Sequence, residues 1–224
     1  MHNPRLFNGP ILRYQSCDAQ ACAITASREC YLRYAVQRVG SAQAHTHDLA
    51  NPQSMLYQLA VTGLFVQTDA AGREHILLGK RAHETWVYPD CWELAPAGGL
   101  ENADFLGQLE KEMHEELGKT CQGVTLCAAT KPCAPAGSSA QAVCCVLGLT
   151  LDPNTPSADI IVRVDLAPAH ESVSASLGTG SAWEYAQVRW VRIDELGGFV
   201  ASHNDFIIPP TRAVFHALGW LDKR

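Results

Sequence analysis

The sequence predicts a mixed α/β domain of the α+β kind, and three observations predict it. Strand-like apolar runs lie on both sides of one strongly amphipathic helix near residues 104–117. A second helix closes the chain at Pro209 to Leu218, with proline at its start and Gly219 after its end. The first fifty or so residues differ in composition from everything that follows, which sets an N-terminal extension (1–55) apart from a main domain (56–224).

The elements follow in order. Cys30 to Val39 (CYLRYAVQRV) is rich in β-branched and aromatic residues and reads as a strand, with a short helix as the alternative. Gly40 to Ser54, rich in Ala, Ser, His, Asn and Pro, reads as a linker or surface loop. Its His45-Thr46-His47 has no acidic or cysteine partner nearby in sequence, so a solvated loop is the better reading than a metal site. Gln58 to Gln67, a turn at Asp69-Ala70-Ala71-Gly72, and His75 to Arg81 form a hairpin. Trp92 to Ala95 is a short extended piece that leads into Pro96-Ala97-Gly98-Gly99. Further strands are expected at Val124 to Ala129, Gln141 to Leu151, Ile160 to Val164 and Tyr185 to Val191.

Composition narrows the function classes. At 224 residues, 47% hydrophobic and 18% charged, the chain has the make-up of a protein with a packed core. A net charge of −6 excludes a global basic footprint for a nucleic-acid backbone or an anionic membrane, while leaving room for a local anion pocket. No apolar stretch approaches the ~18 residues needed to span a bilayer, and Met1 to Arg13 lacks a signal-like apolar core, so a cytoplasmic address is expected. Nine cysteines, odd in number and without a CxxC pair, read as reduced thiols rather than a zinc site or a disulfide framework.

The chemistry concentrates in Trp92 to Thr120. Asn102 or Asp104 can cap a helix that runs to about Leu117, and Gly118 is a natural stop. Phe105, Leu106, Leu109, Met113 and Leu117 form an apolar stripe roughly 120° wide. Glu112, Glu115 and Glu116, at i, i+3 and i+4, gather along its rim. Three such carboxylates raise one another's pKa unless a cation sits among them, and their hard oxygens suit Mg²⁺ or Mn²⁺. Spacing alone is equally satisfied by a solvated glutamate-rich face.

The flanks add to that spacing. Pro96-Ala97-Gly98-Gly99-Leu100-Glu101, followed by Lys111-Glu112-Met113-His114-Glu115-Glu116-Leu117-Gly118, resembles the Nudix box, written G-x5-E-x7-R-E-U-x-E-E-x-G-U. Upstream Gly79-Lys80-Arg81 and Trp92-Glu93-Leu94, and downstream Glu184 to Val191 with Asp194-Glu195-Leu196, are similar to the family's flanking strands, so the likeness runs over residues 57–218. It implies a mixed sheet sandwiched between helices, and an enzyme that cleaves a diphosphate linkage in a small-molecule substrate. Glu112, Glu115 and Glu116 would hold the metal. The general base would be one of these or a late-loop residue, Glu171 or Glu184. Arg81, Gly98 and Gly99 would contact substrate, and Lys111 would support the site. Ser172 to Ser181 would form a lid, and the extension is expected to contribute to a homodimer. Nucleotide sugars such as ADP-ribose rank first as substrate, ahead of dinucleotides and dinucleoside polyphosphates.

The chain departs from the box at three places. Lys111 stands for arginine, which removes the planar bidentate fork. The segment from Gly99 to Lys111 is two residues short, so the earlier glutamate has no clear counterpart, and Lys119 stands for an aliphatic residue. These departures keep a non-enzymatic nucleotide-binding module as the alternative. Cys91 raises a weaker one, the isopentenyl-diphosphate isomerase relatives. Trp86, Tyr88 and Trp92 are either core or a stacking surface.

Overall fold

A computed structural model describes residues 9–43, 55–117, 124–128, 140–166 and 184–221. His45-Thr46-His47, Gly118, Lys119, Glu171 and Ser172 to Ser181 lie outside the described residues. The strands are β1 (Pro10–Asp18), β2 (Ala23–Cys30), β3 (Tyr57–Thr68), β4 (Glu74–Arg81), β5 (Trp92–Leu94), β6 (Ala97–Gly99), β7 (Val124–Ala128), β8 (Ala140–Asp152), β9 (Ser157–Leu166) and β10 (Tyr185–Arg192). The helices are α1 (Tyr31–Gln43), α2 (Phe105–Leu117), α3 (Leu196–Ser202) and α4 (Pro209–Ala217).

All ten strands join one mixed sheet along the path β10-β4-β3-β9-β8-β7, with β1, β2, β5 and β6 attached beside it. β3 is the axis. It runs parallel to β9 over ten residue pairs, from Gln58↔Ser157 to Gln67↔Leu166. Its other edge serves β1, β6 and β4 in turn. Being covered on both faces, β3 is buried along most of its length, as a central strand requires.

Side-chain alternation along the strands builds two cores. On one face Leu59, Val61 and Phe65 of β3 and Ile160, Val162 and Val164 of β9 pack under Leu109, Met113 and Leu117 of α2. On the other face Leu64, Val66 and Ile161 pack with Phe199 and Val200 of α3 and Val214 and Phe215 of α4. The result is a sheet between helices, as expected for the fold class. At ~25 cal/mol per Å² of apolar surface, these two cores are the principal source of stability.

The N-terminal extension departs from expectation at one element. Residues 31–39 are helical in α1 and not a strand. The reason lies in spacing. Tyr34 and Ala35 turn inward, toward Ile11 and Leu56, while Leu32 and Val36 face out, a period closer to four than two. The Gln37 amide fixes this packing: it accepts from Leu56 N at 2.7 Å and donates to Leu56 O at 3.2 Å. The extension is also sewn to the main sheet. Arg13 and Tyr14 pair with Gln58 and Tyr57, and Leu12 N donates to Leu100 O at 2.8 Å.

Candidate active site

The site is built around β6 and α2. β6 pairs with β3 at Thr62↔Ala97, Val61↔Gly98 and Ala60↔Gly99, which holds its backbone beside the helix. Asp104 caps α2 by accepting from Gly107 N at 3.0 Å, and Asn102 in turn accepts from Asp104 N at 2.8 Å. Gly98 has a specific reason to lack a side chain: a Cβ there would overlap the Glu112 carboxylate. A Cβ on Gly99 would likewise overlap the Gln58 amide.

The three helix glutamates are placed differently from one another. Glu116 is buried at 6% exposure, Glu112 is half-buried, and Glu115 faces solvent. The rim they share along the helix thus runs from buried Glu116 to exposed Glu115. The helix is rotated so that Gln108, Leu109, Met113, Glu116 and Leu117 point inward, and Phe105 and Leu106 are only partly covered. Glu184, just before the late strand β10, completes the group that Glu115 leaves: its carboxyl lies beside that of Glu116.

Burial first, then Glu184, Glu112 and Glu93, push the Glu116 carboxyl well above the ordinary range. Burial, followed by Glu115 and Glu184, raises Glu112, although Gln108 donates to Glu112 Oε1 at 2.6 Å and opposes the shift. Ala97 N donates weakly to Glu116 at 3.3 Å. Glu93 is fully buried and raised by burial, with Arg81 against it. Arg81 Nη1 donates to Glu93 Oε1 at 2.6 Å and Nε to Val87 O at 2.7 Å, so the guanidinium is largely committed to these two groups. Lys111 pairs loosely with Glu101 at 3.5 Å, both half-exposed.

Behind β6, on the α4 face of the sheet, opens a cavity of about 180 Å³. Gly98 and Gly99 form its rim, with Glu93 and Arg81 beside them. Its far wall is polar. Asp152, 1% exposed, accepts from Tyr88 Oη at 2.7 Å, Thr155 Oγ1 at 2.7 Å and Asn154 N at 3.0 Å. Asp159, 9% exposed, accepts from Ser157 Oγ at 2.7 Å. Burial, helped by Asp152 and Glu93, lifts the Asp159 carboxyl to about 7. Tyr34 of α1 reaches the same cavity and donates to Thr155 O at 3.3 Å.

Sequence reasoning missed Glu93 as an acid of the site, and missed Asp152, Asp159 and Tyr34 altogether. Asp159 left one signal: a lone carboxylate inside the apolar run SADIIVRV. Among the aromatic candidates, Trp92 is core, edge-on to Phe199 at 5.3 Å, Trp86 is 56% exposed, and Tyr88 lines the cavity. Burial raises the Cys91 thiol away from the reactive thiolate form.

Among the described residues, no group of three or more His, Cys, Asp or Glu side chains is gathered closely enough to cage a metal ion as it stands. The donor chemistry nevertheless fits Mg²⁺ or Mn²⁺. Magnesium keeps several waters and binds through one or two carboxylates plus substrate phosphates, so a ready cage is not required. Glu112, Glu116 and Glu184 offer hard oxygens; Lys111 and the Gln108 amide offset part of the charge at Glu112, yet burial and the neighbouring acids leave both Glu112 and Glu116 raised.

No model of a known protein family matches the sequence, and no curated protein sequence does. Solved structures similar to the chain include a MutT protein from Methanosarcina mazei Go1, 15% identical over 75% of this chain and 96% of its own, with a TM-score of 0.44. A Nudix hydrolase from Alicyclobacillus acidocaldarius is 15% identical over 72% of this chain and 90% of its own, also at 0.44. A bifunctional NMN adenylyltransferase/ADP ribose pyrophosphatase from Francisella tularensis, complexed with AMP and a manganese ion, is 14% identical over 84% of this chain and 46% of its own, at 0.44. Likeness at this level is weak and leaves the chemistry to this chain's own residues. Among the described residues no helix is long and apolar enough to cross a membrane.

Proposed function

We propose that this chain is a Nudix-type, metal-dependent hydrolase that cleaves a diphosphate linkage in a nucleoside diphosphate derivative, with nucleotide sugars such as ADP-ribose as the first substrate class. The observation that carries this reading is the meeting of Glu112, Glu116 and Glu184 beside the Gly98 backbone, where burial and the neighbouring acids raise Glu112 and Glu116 despite Lys111 and Gln108. Glu112 and Glu116 would hold Mg²⁺ or Mn²⁺ with Glu115 or Glu184 as a further ligand; when bound, the ion supplies charge neutralisation to the diphosphate and acidifies water. The side chains do the rest. Gly98 and Gly99 let the phosphates approach the backbone. Glu184, beside Glu116, would take a proton from an attacking water. The extension of this proposal to a homodimer rests on the N-terminal segment alone.

A nucleotide-binding module without turnover is the second reading, supported by the exposure of Glu115 and the lack of a preformed three-acid cage among the described residues. One screen separates the two. Diphosphate substrates with Mg²⁺ or Mn²⁺ are expected to release phosphate-bearing products, and chelation is expected to stop them. Tight nucleotide binding with no product under either metal would sink the hydrolase reading.

A further inference from the structure

The cavity behind β6 is acidic. Asp152, Asp159 and Glu93 line it, and among the described residues its one lining cation is Arg81, which bonds Glu93 and Val87 O. Such a wall repels phosphate, so a bound diphosphate has to stay on the Gly98–Gly99 side, and what enters is an uncharged group attached to it. At about 180 Å³ the cavity has room for a ring. Tyr34, Tyr88, Ile161 and Pro210 supply flat or apolar surface suited to a planar ring.

Within that cavity the two aspartates differ. Asp152 is saturated by Tyr88, Thr155 and Asn154. Asp159 has one oxygen, Oδ2, pinned by Ser157, while Oδ1 has no hydrogen-bond partner among the described residues, although the residue is nine-tenths buried. Oδ1 is not sealed inside the protein but stays open to the cavity, where a donor on a bound ring can reach it. Resting on the hydrolase reading above, we infer that Asp159 is a specificity-determining residue that receives the exocyclic amino group of a nucleobase, with Ser157 positioning it and Tyr34 and Tyr88 walling the ring.

The groups facing Asp159 are Ser157 on its own strand, Asp152 from β8, Glu93 from β5 with Arg81 from β4 against it, Tyr88 from the loop before β5, and Tyr34 from α1. The acids among them hold its proton on until about pH 7. Above that pH Oδ1 only accepts, and an amino-bearing ring is chosen over its oxo counterpart; below it the carboxyl also donates, and the choice weakens.

The test is binding of AMP, IMP and ribose 5-phosphate without metal, by calorimetry at pH 8 and pH 6. AMP is expected to bind about tenfold to a hundredfold more tightly than IMP at pH 8, the range for a hydrogen bond to a charged group, with a smaller ratio at pH 6. Asp159→Asn, isosteric and checked for a native melting transition, is expected to show the same small ratio at both pH values. Equal binding of AMP and IMP at pH 8, an unchanged ratio in D159N, ribose 5-phosphate binding as well as AMP, or no AMP binding at millimolar concentration would each overturn the assignment. Glu116→Gln separates it from the parent reading. That variant is expected to lose hydrolysis and keep the AMP-to-IMP ratio, so a protein that never hydrolyses a diphosphate but shows the ratio keeps the pocket assignment and loses the enzyme.

Discussion

Two acid-rich regions share the β6 backbone as a common wall, and they treat their carboxylates in opposite ways. In the cavity, Asp152 is met by three donors from the protein itself, and its neighbourhood is a structural knot linking the loop before β5 to the β8–β9 turn. On the α2 side, Glu112, Glu116 and Glu184 gather with fewer donors, Gln108 on Glu112 and Ala97 N on Glu116, and burial plus mutual repulsion pushes Glu112 and Glu116 up. The comparison teaches that burial of an acid is not by itself a functional sign. An acid whose partners are internal serves the fold, whereas acids left to repel each other are held for something that arrives later.

The largest effect that could break this comparison is on turnover. Glu116→Gln is expected to reduce hydrolysis by about 10²–10⁴-fold while raising the melting temperature by a few degrees, because a buried, repelled carboxyl is removed. Activity that survived in a triple Gln variant at 112, 115 and 116 would contradict the α2 half of the argument. The knot should respond the other way. Asp152→Ala is expected to lower stability by about 1–3 kcal/mol in denaturant melts, since it strands the half-buried Tyr88 and Thr155 hydroxyls.

Asp159 lies between these extremes, and its effect depends on pH. Its folded pKa, about 7, is above that of the unfolded carboxyl, so the fold binds its proton more tightly. The associated stability is fully present below about pH 4 and is lost as pH rises toward 7, at most a few kcal/mol. Melts of D159N between pH 4 and 8 are expected to lack this slope, with a higher melting temperature than the native chain at pH 8. The smallest expected effect belongs to Glu115→Gln. Exposed as that residue is, its loss is expected to change turnover by under about tenfold, and a drop as large as that of Glu116→Gln would show that the helix rotates when metal binds.

Much of this was legible in the sequence, and the limits have physical causes. β3, β4, β8, β9 and β10 announce themselves by alternation or apolar runs, and α2 by its stripe from Leu109 to Leu117 with Asp104 as cap. The carboxylate set was visible because Glu112, Glu115 and Glu116 are neighbours along one helix. Which of them turns inward was not, because helix rotation is decided by the sheet beneath. The cavity was illegible for another reason: Tyr88 and Asp152 are 64 residues apart, Tyr34 and Thr155 are 121 apart, and no local period encodes such meetings. α1 was misread because Tyr and Val favour strands intrinsically, and the packing of Tyr34 on Ile11 and Leu56 works against that preference.

The placement of Tyr34 bears on where this chain can be cut. An N-terminal segment that merely preceded the main domain could be removed without loss, but here it contributes β1 to the sheet edge and an aromatic wall to the cavity. Deleting residues 1–55 would leave every glutamate of α2 in the chain while opening the ring pocket to water. Such a shortened protein is expected to lose discrimination among substrates before it loses the capacity to break them, because one wall of the cavity comes from a segment that no glutamate of α2 touches in sequence.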